Sequence, residues 1–80
     1  MRIDDFLSTT GVVKRRTVAK ELGVNGLVEA NGRRVKPAYE VKVGDIVRIK
    51  GSRPLTVEVI AIPNRSVPKL ERSRYFKSIE

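Results

Sequence analysis

The sequence contains no cysteine, no histidine and no tryptophan, and its aromatic residues make up only 5% of the chain. Without cysteine or histidine, disulfide bonds and the usual zinc ligand sets are excluded, so a chain of 80 residues must be held together by its packed core. The same absence removes the side chains that most often act as nucleophiles or general bases. We therefore expect neither catalysis nor a metal or other cofactor.

Long apolar runs are absent as well. No stretch of the sequence approaches the ~18 apolar residues that a membrane-spanning helix needs. The N-terminal segment from Met1 to Phe6 is too charged for a secretory signal. These absences predict a cytoplasmic protein that makes no membrane contact.

Positive charge is what the chain has in excess. Its 17 lysine and arginine residues stand against 9 acids, which gives a net charge of +8 and an isoelectric point near 10.5. Clustered cations on a small domain are typical of proteins that bind phosphate groups, nucleic acid above all. Charge alone describes attraction and not specificity, so two other interpretations stay open: a solvated basic surface, and a protein-interaction or assembly module that binds acidic partners.

The cations are densest between residues 14 and 22, where four of nine residues are basic and one is acidic. Val18, Ala19 and Leu22 recur there at helical spacing and are expected to face the core. The helix is expected to end near Gly23. Such self-repulsion on one short helix favours contact with a polyanion. The basic residues of this segment are Lys14, Arg15, Arg16 and Lys20.

Local patterns also predict a first helix and a hairpin. The first helix follows from three apolar residues at helical spacing: Ile3, Phe6 and Leu7. Further along, Asn31-Gly32 separates residues 27–30 from residues 33–36. Asn-Gly is the strongest short-range signal of a two-residue hairpin turn, because both central residues need a positive φ.

Two alternating segments, residues 46–50 and 55–62, predict strands that pair antiparallel and form most of a sheet. Asp45, which follows a glycine in a turn, is expected to bond neighbouring backbone groups. Residues 64–80 carry five cations and two acids but no helical apolar stripe. We therefore expect them to form a loosely docked or flexible basic tail outside a domain of residues 1–63.

Four short motifs occur along the chain in a fixed order. They are Arg2-Ile3-Asp4-x-Phe6-Leu7, Lys14-Arg15-Arg16-Thr17-x-Ala19, Gly26-x-Val28-x-x-Asn31-Gly32-x-x-Val35-Lys36-Pro37-Ala38, and Val41-x-x-Gly44-Asp45. Together they resemble the RNA-binding domain named after ribosomal protein S4. The match covers about residues 1–50, and the strand at 55–62 completes the domain. The resemblance implies an α+β fold of the αL type, with two short N-terminal helices packed on a small twisted, mainly antiparallel sheet.

Within that family, the chain is similar to the stand-alone group of RqcP and ribosome-associated heat-shock proteins, because 80 residues leave no room for a catalytic domain. The resemblance implies a monomeric, non-enzymatic protein that binds rRNA on the large ribosomal subunit still carrying peptidyl-tRNA, with the tRNA as a second RNA partner. The implied role is rescue of stalled ribosomes, in support of C-terminal tailing by a factor such as RqcH. Heat-shock-type recycling of free large subunits is the alternative within the same group.

The predicted RNA-binding residues follow partly from this resemblance and partly from charge. The resemblance implies contacts at Arg2, at Arg16 with its basic neighbours, and at Lys36, and it assigns Asn31-Gly32 the task of shaping the turn. Charge adds three further cations. The complete predicted set is Arg2, Lys14, Arg15, Arg16, Lys20, Arg33, Arg34 and Lys36.

The sequence departs from the family pattern at two positions. Asp5 stands where relatives usually carry a basic residue, and Gly11 stands where many carry arginine. Both departures remove positive charge from the face that is expected to bind RNA.

Overall fold

The structure, a computed structural model, describes residues 1–64 and 66–79, so the predictions made for Arg65 and Glu80 lie outside the described residues. Two α-helices come first, α1 (Ile3–Thr9) and α2 (Arg16–Val24). The strands that follow are β1 (Val28–Ala30), β2 (Arg33–Arg34), β3 (Ile46–Ile49), β4 (Leu55–Val59) and β5 (Phe76–Ile79). A 3-10 helix (Lys69–Arg74) precedes β5.

The strands form one antiparallel sheet in the order β2-β1-β3-β4-β5. The predicted hairpin is present as β1 and β2, and its turn residues Asn31 and Gly32 have φ angles of 54° and 83°. The predicted antiparallel pairing of the two alternating segments is present as β3 and β4, with Val47 opposite Val57. The α+β class is therefore confirmed.

The core lies between the two helices and one face of the sheet. Alternate strand residues point into it, and Val47, Val57 and Val59 are fully buried. The largest side chains of this core come from α1: Ile3, Phe6 and Leu7. Strand residues of the opposite parity are half-buried, such as Thr56, or exposed, such as Arg48, so the second face of the sheet is open to solvent, as is common for antiparallel sheets.

Helix α2 begins later than the cluster of cations suggests. Lys14 precedes it, and Arg15 is its N-cap with an extended backbone (φ −125°, ψ 139°). The face of α2 against the core is centred on Ala19 and Gly23, one turn apart, and both are buried. This orientation turns Val18 about 100° away from the core. The prediction that Val18 faces the core is therefore wrong, and its side chain is 42% exposed.

Helix α2 ends near Gly23 as expected, but Gly23 does not take the left-handed position. The helix runs on to Val24, and Gly26, with a φ of 72°, takes the left-handed position beyond the helix end. Gly23 serves a close approach instead, because an ideal Cβ at this position would lie 2.8 Å from Cγ of Pro37. The missing side chain lets the loop after β2 cross α2 directly.

The C-terminal segment differs most from the expectation. β5 pairs with β4 along its length, with Phe76 opposite Val59. Beyond the strands, the N–H of Ile60 donates to the carbonyl of Tyr75 at 2.9 Å. The prediction of a loose tail is wrong, because one edge of β4 is not paired with β3 and β5 pairs with it there. Strand pairing of this kind is a long-range interaction that needs no local apolar stripe.

We predict that Gly23→Ala destabilises the protein, although alanine usually stabilises a helix interior by about 1 kcal/mol relative to glycine. The added Cβ would meet the rigid Pro37 ring at 2.8 Å, and overpacking of this kind costs about 1–3 kcal/mol. Urea unfolding followed by circular dichroism measures the change. Thr17→Ala is the control, since Thr17 is exposed on the same helix. A Gly23→Ala variant that is more stable than the unchanged protein would contradict the close approach.

Candidate nucleic-acid interface

Unpaired cations lie around the start of α2. The side chains of Lys14, Arg15 and Lys20 are exposed, and none of them forms an ion pair with a described residue. Lys14 and Arg15 end the connection between α1 and α2, and Lys20 lies one turn after Arg16 on the helix. This part of the predicted set therefore presents its charge to solvent without a protein counter-ion.

Arg16 differs from its neighbours because an acid of α1 neutralises part of its charge. Its Nη2 lies 2.9 Å from Oδ1 of Asp5, and the Arg16 side chain stays 62% exposed. Within α2 itself Glu21 is the only acid, and it forms no ion pair with a described residue. The ion pair instead crosses from one helix to the other, so Asp5 lowers the local charge and fixes how the two helices meet.

Arg2 is held by the other acid of α1. Its Nε and Nη2 donate to the two carboxylate oxygens of Asp4, both at 3.1 Å. The side chain of Asp4 is 1% exposed, whereas that of Arg2 is 42% exposed. A buried carboxylate without a partner is strongly destabilising, so Arg2 has a structural role at the start of α1. The exposed part of its guanidinium group can still face a ligand.

The first turn of α1 brings three family-matched cations into one region. Arg2 precedes this turn and Arg16 pairs with it through Asp5. Lys36 lies near this turn because the residue that follows it, Pro37, is bound to α1. The carbonyl of Pro37 accepts a hydrogen bond from the N–H of Asp4 at 3.3 Å. Residues that are far apart in sequence are therefore assembled around one helix end.

The two arginines of the hairpin do not share a surface. Arg33 lies opposite Ala30, which is buried on the helix side of the sheet, whereas Arg34 lies opposite Glu29. Because neighbouring strand residues point to opposite faces, Arg34 belongs to the open face of the sheet. There its side chain lies beside Gly26, where an ideal Cβ would be 3.2 Å from the Cδ of Arg34. Only Arg33 is on the side of the sheet that carries the helices.

A buried carboxylate supports the hairpin turn. Asp45 accepts hydrogen bonds from Nδ2 of Asn31 (3.0 Å), from the hydroxyl of Tyr39 (2.9 Å) and from the N–H of Lys42 (3.0 Å). The amide oxygen of Asn31 in turn accepts from the N–H of Ile46 at 3.0 Å. The bond from Lys42 confirms the expectation that Asp45 binds neighbouring backbone. The bonds from Asn31 and Tyr39 join distant loops, and no local pattern in the sequence signals them.

This network changes the acidity of its members. Burial opposes the ionisation of Asp45, but the hydrogen bonds from Asn31, Lys42 and Tyr39 together lower the pKa of its carboxyl below the usual value. The hydrogen bond to Asp45, followed by burial, raises the pKa of the Tyr39 hydroxyl. At neutral pH Asp45 is thus a charged acceptor and Tyr39 a neutral donor.

Neither a cluster of metal-binding side chains nor a membrane-spanning helix is present in the described parts of the chain. Residues 1–64 and 66–79 contain no group of three or more acidic side chains placed to hold a metal ion. Over the same ranges, no helix is long and apolar enough to cross a membrane.

Comparison with known proteins gives matches over most of the chain. The model of the S4 domain family matches residues 1–47. An RQC P-site tRNA stabilizing factor from Helicobacter pylori strain J99 is 39% identical over 79 residues, which cover 94% of this chain and 92% of that protein. The resemblance that the four sequence motifs carry is confirmed by these matches.

Solved structures show the same arrangement of elements. The trimeric structure of Vibrio cholerae Heat Shock Protein 15 has a TM-score of 0.88 at 24% identity, and the match covers 99% of this chain and 81% of that one. The solution structure of the hypothetical protein HP1423 has a TM-score of 0.84 at 33% identity, with 100% and 98% covered. The first likeness lies below 25% identity and concerns the fold alone.

We predict that Asp45→Asn lowers the free energy of unfolding by about 1–3 kcal/mol at pH 7, because buried donors lose a charged acceptor. Since the folded-state pKa of Asp45 is lowered, its stabilising effect is present above the usual carboxyl pKa of ~3.9 and is lost as the pH falls through the folded value. The difference between the two proteins should therefore shrink under acid conditions. Urea unfolding between pH 7 and pH 3 measures it.

The control for this experiment is Glu21→Gln. The side chain of Glu21 is exposed and forms no hydrogen bond or ion pair with a described residue, so removal of its charge should leave stability nearly unchanged. Stability curves of Asp45→Asn and the unchanged protein that coincide at neutral pH would show that the network does not stabilise the fold.

Proposed function

The chain belongs to the S4 domain family, and from this premise we propose that it binds rRNA on the large ribosomal subunit that still carries peptidyl-tRNA. In this proposal it is a non-catalytic, cytoplasmic factor that assists the rescue of stalled ribosomes. The proposal rests on Lys14 and Arg15, two exposed cations that form no ion pair with a described residue. They lie where α2 begins, and α2 packs on α1.

The geometry suits the phosphate path of folded RNA. An A-form helix hides its base edges in a deep, narrow groove, so proteins recognise it mainly through shape and backbone contacts. Lys14 and Arg15 at the entry to α2, with Lys20 in the helix, give one line of charge, and the exposed parts of Arg2 and Lys36 near α1 give a second. Arginine is suited to fixed contacts, because its planar group can donate to two phosphate oxygens at once.

Relatives with high sequence identity support the ribosomal part of the proposal. The Helicobacter pylori protein that is 39% identical is named an RQC P-site tRNA stabilizing factor. By analogy, this chain would hold tRNA and rRNA in one arrangement while a separate tailing factor such as RqcH extends the stalled chain. The protein would act as a monomer, and its own contribution would be to position the two RNAs. Its loss should therefore slow tailing, but the tailing factor should still catalyse the reaction.

Two alternatives make different demands on the same surface. Heat-shock-type recycling, the alternative that the family resemblance leaves open, needs free large subunits and no peptidyl-tRNA. A protein-interaction module needs acidic protein partners, and its association with ribosomes would survive nuclease treatment. Sedimentation separates all three.

We predict that the protein co-sediments with large subunits that retain peptidyl-tRNA in lysates where stalling has been provoked, and that nuclease treatment releases it. Lys14→Ala with Arg15→Ala should move it towards the top of the gradient. With purified subunits, the same pair of changes should reduce the slope of log affinity against log salt by about 1.4–1.8, because each lost phosphate contact removes ~0.7–0.9.

The matched control removes the same charge from the open face of the sheet. Arg48→Ala with Lys77→Ala changes two exposed cations that lie in β3 and β5, and this variant should sediment as the unchanged protein does. Protein found on small subunits, on messenger RNA or free in the gradient would defeat the proposal. Equal loss from both double variants would mean that net charge, not the entry to α2, determines binding.

A further inference from the structure

Arg72 reaches from the C-terminal segment to the connection between the two helices. An ideal Cβ built on Gly11 would lie 2.7 Å from Cδ and 2.9 Å from Nη1 of Arg72. Helix α2 and strands β1 to β4 lie in sequence between Gly11 and the 3-10 helix that contains Arg72. The Arg72 side chain is therefore seated against the backbone of Gly11, in space that any other residue at position 11 would occupy.

The guanidinium group of Arg72 has no protein counter-ion in the described part of the chain. Its Nε is buried and donates no hydrogen bond there, and no ion pair joins Arg72 to a described acid. The nearest acid in sequence, Glu71, lies 3.8 Å from Arg74 instead. A buried charged donor without an acceptor is costly, and an anion bound at the exposed end of the same group would supply the counter-ion that the described part of the chain does not.

The position of Arg72 joins it to the unpaired cations described above. Gly11 lies only three residues before Lys14 in the connection between α1 and α2, so a trans chain places the two within ~11 Å of each other. Arg72 thus reaches the same connection that carries Lys14 and Arg15, and none of these three cations forms an ion pair with a described residue. Several cations at one connection match the successive phosphates of an RNA strand better than a single acidic side chain.

We propose that Arg72 is a further RNA phosphate contact and that Gly11 is its seat, the position whose missing side chain leaves room for the Arg72 side chain. The proposal rests on the proposed RNA-binding function. The C-terminal segment then takes part in binding RNA, whereas the sequence patterns predicted RNA-binding residues only in the helical region and around the hairpin. Anchoring of the Arg72 stem favours binding, because a side chain that is already ordered loses little entropy when it meets a ligand.

The first test compares Arg72→Gln with Arg74→Gln in binding to purified large ribosomal subunits over a range of salt concentrations. Both variants lose one charge from the same 3-10 helix, but the Arg74 side chain is 76% exposed, whereas the three atoms nearest to an ideal Cβ on Gly11 all belong to Arg72. We expect Arg72→Gln to bind about tenfold more weakly and to lower the salt slope by ~0.7–0.9. Arg74→Gln should change affinity by less than about twofold.

The second test addresses the seat. Gly11→Ala should displace the Arg72 side chain and weaken binding, and in combination with Arg72→Gln it should add no further loss. Gly44→Ala is the matched control, because Gly44 also has a positive φ (93°, against 81° at Gly11) but nothing lies within 4 Å of an added Cβ. Additive losses from Gly11→Ala and Arg72→Gln would overturn the assignment of Gly11 as the seat.

Folding is checked by thermal melting of each variant. If Arg72→Gln does not fold, Arg72→Lys keeps the charge and should keep the salt slope; a lowered slope for Arg72→Lys would contradict the proposal. Equal affinity and slope for Arg72→Gln and Arg74→Gln, with the unchanged protein still binding, would overturn this inference alone. Failure of the unchanged protein to bind large subunits would remove the proposed function as well.

Discussion

The carboxylate of Asp45 joins parts of the chain that no single helix or strand holds together. It accepts hydrogen bonds from Asn31 in the hairpin turn, from Tyr39 and from the backbone of Lys42. The carbonyl of Tyr39 accepts in turn from the N–H of Ile3 at the start of α1, at 2.7 Å. One buried charge therefore connects the hairpin to the first helix. The cations carried by these two elements keep a fixed separation because of this connection.

Two acids in the first turn of α1 divide the cations of the helical region into two classes. Asp4 and Asp5 pair with Arg2 and Arg16, and these pairs fasten the N-terminus and the second helix to α1. Lys14 and Arg15, between the helices, have no such partner among the described residues. In a chain with a net charge of +8, the paired cations chiefly stabilise the fold, whereas the unpaired cations at the entry to α2 supply the attraction that the proposed RNA contact needs.

Local physical chemistry accounts for what the sequence could predict. Asn31-Gly32 specifies its turn because both residues must have a positive φ, and the alternation in β3 and β4 specifies a sheet with one buried face. The N-terminal start of α2, the orientation of Val18 and the pairing of β5 were not predictable in this way. Each depends on a contact between segments distant in sequence, where a helix or strand meets an edge or a groove already formed by the rest of the chain.

The same distinction applies to the candidate site. Charge density and family resemblance selected the basic residues, but they did not tell which of Arg33 and Arg34 lies on the helix side of the sheet. Nor could they show that Asp5 pairs with Arg16 or that Arg72 reaches Gly11. These features follow from register and tertiary contacts, so the composition of the site was more predictable than its geometry.

The central claim is that the entry to α2 is the surface that meets RNA of the large subunit. Site-specific photo-crosslinking in cells tests it most directly, with a photo-reactive amino acid placed either at Thr17, exposed on α2, or at Ile46, 37% exposed on the open face of the sheet. Sequencing of the attached RNA should recover large-subunit rRNA or tRNA from position 17 and little RNA from position 46. RNA recovered mainly from position 46, or equally from both positions, would contradict the account.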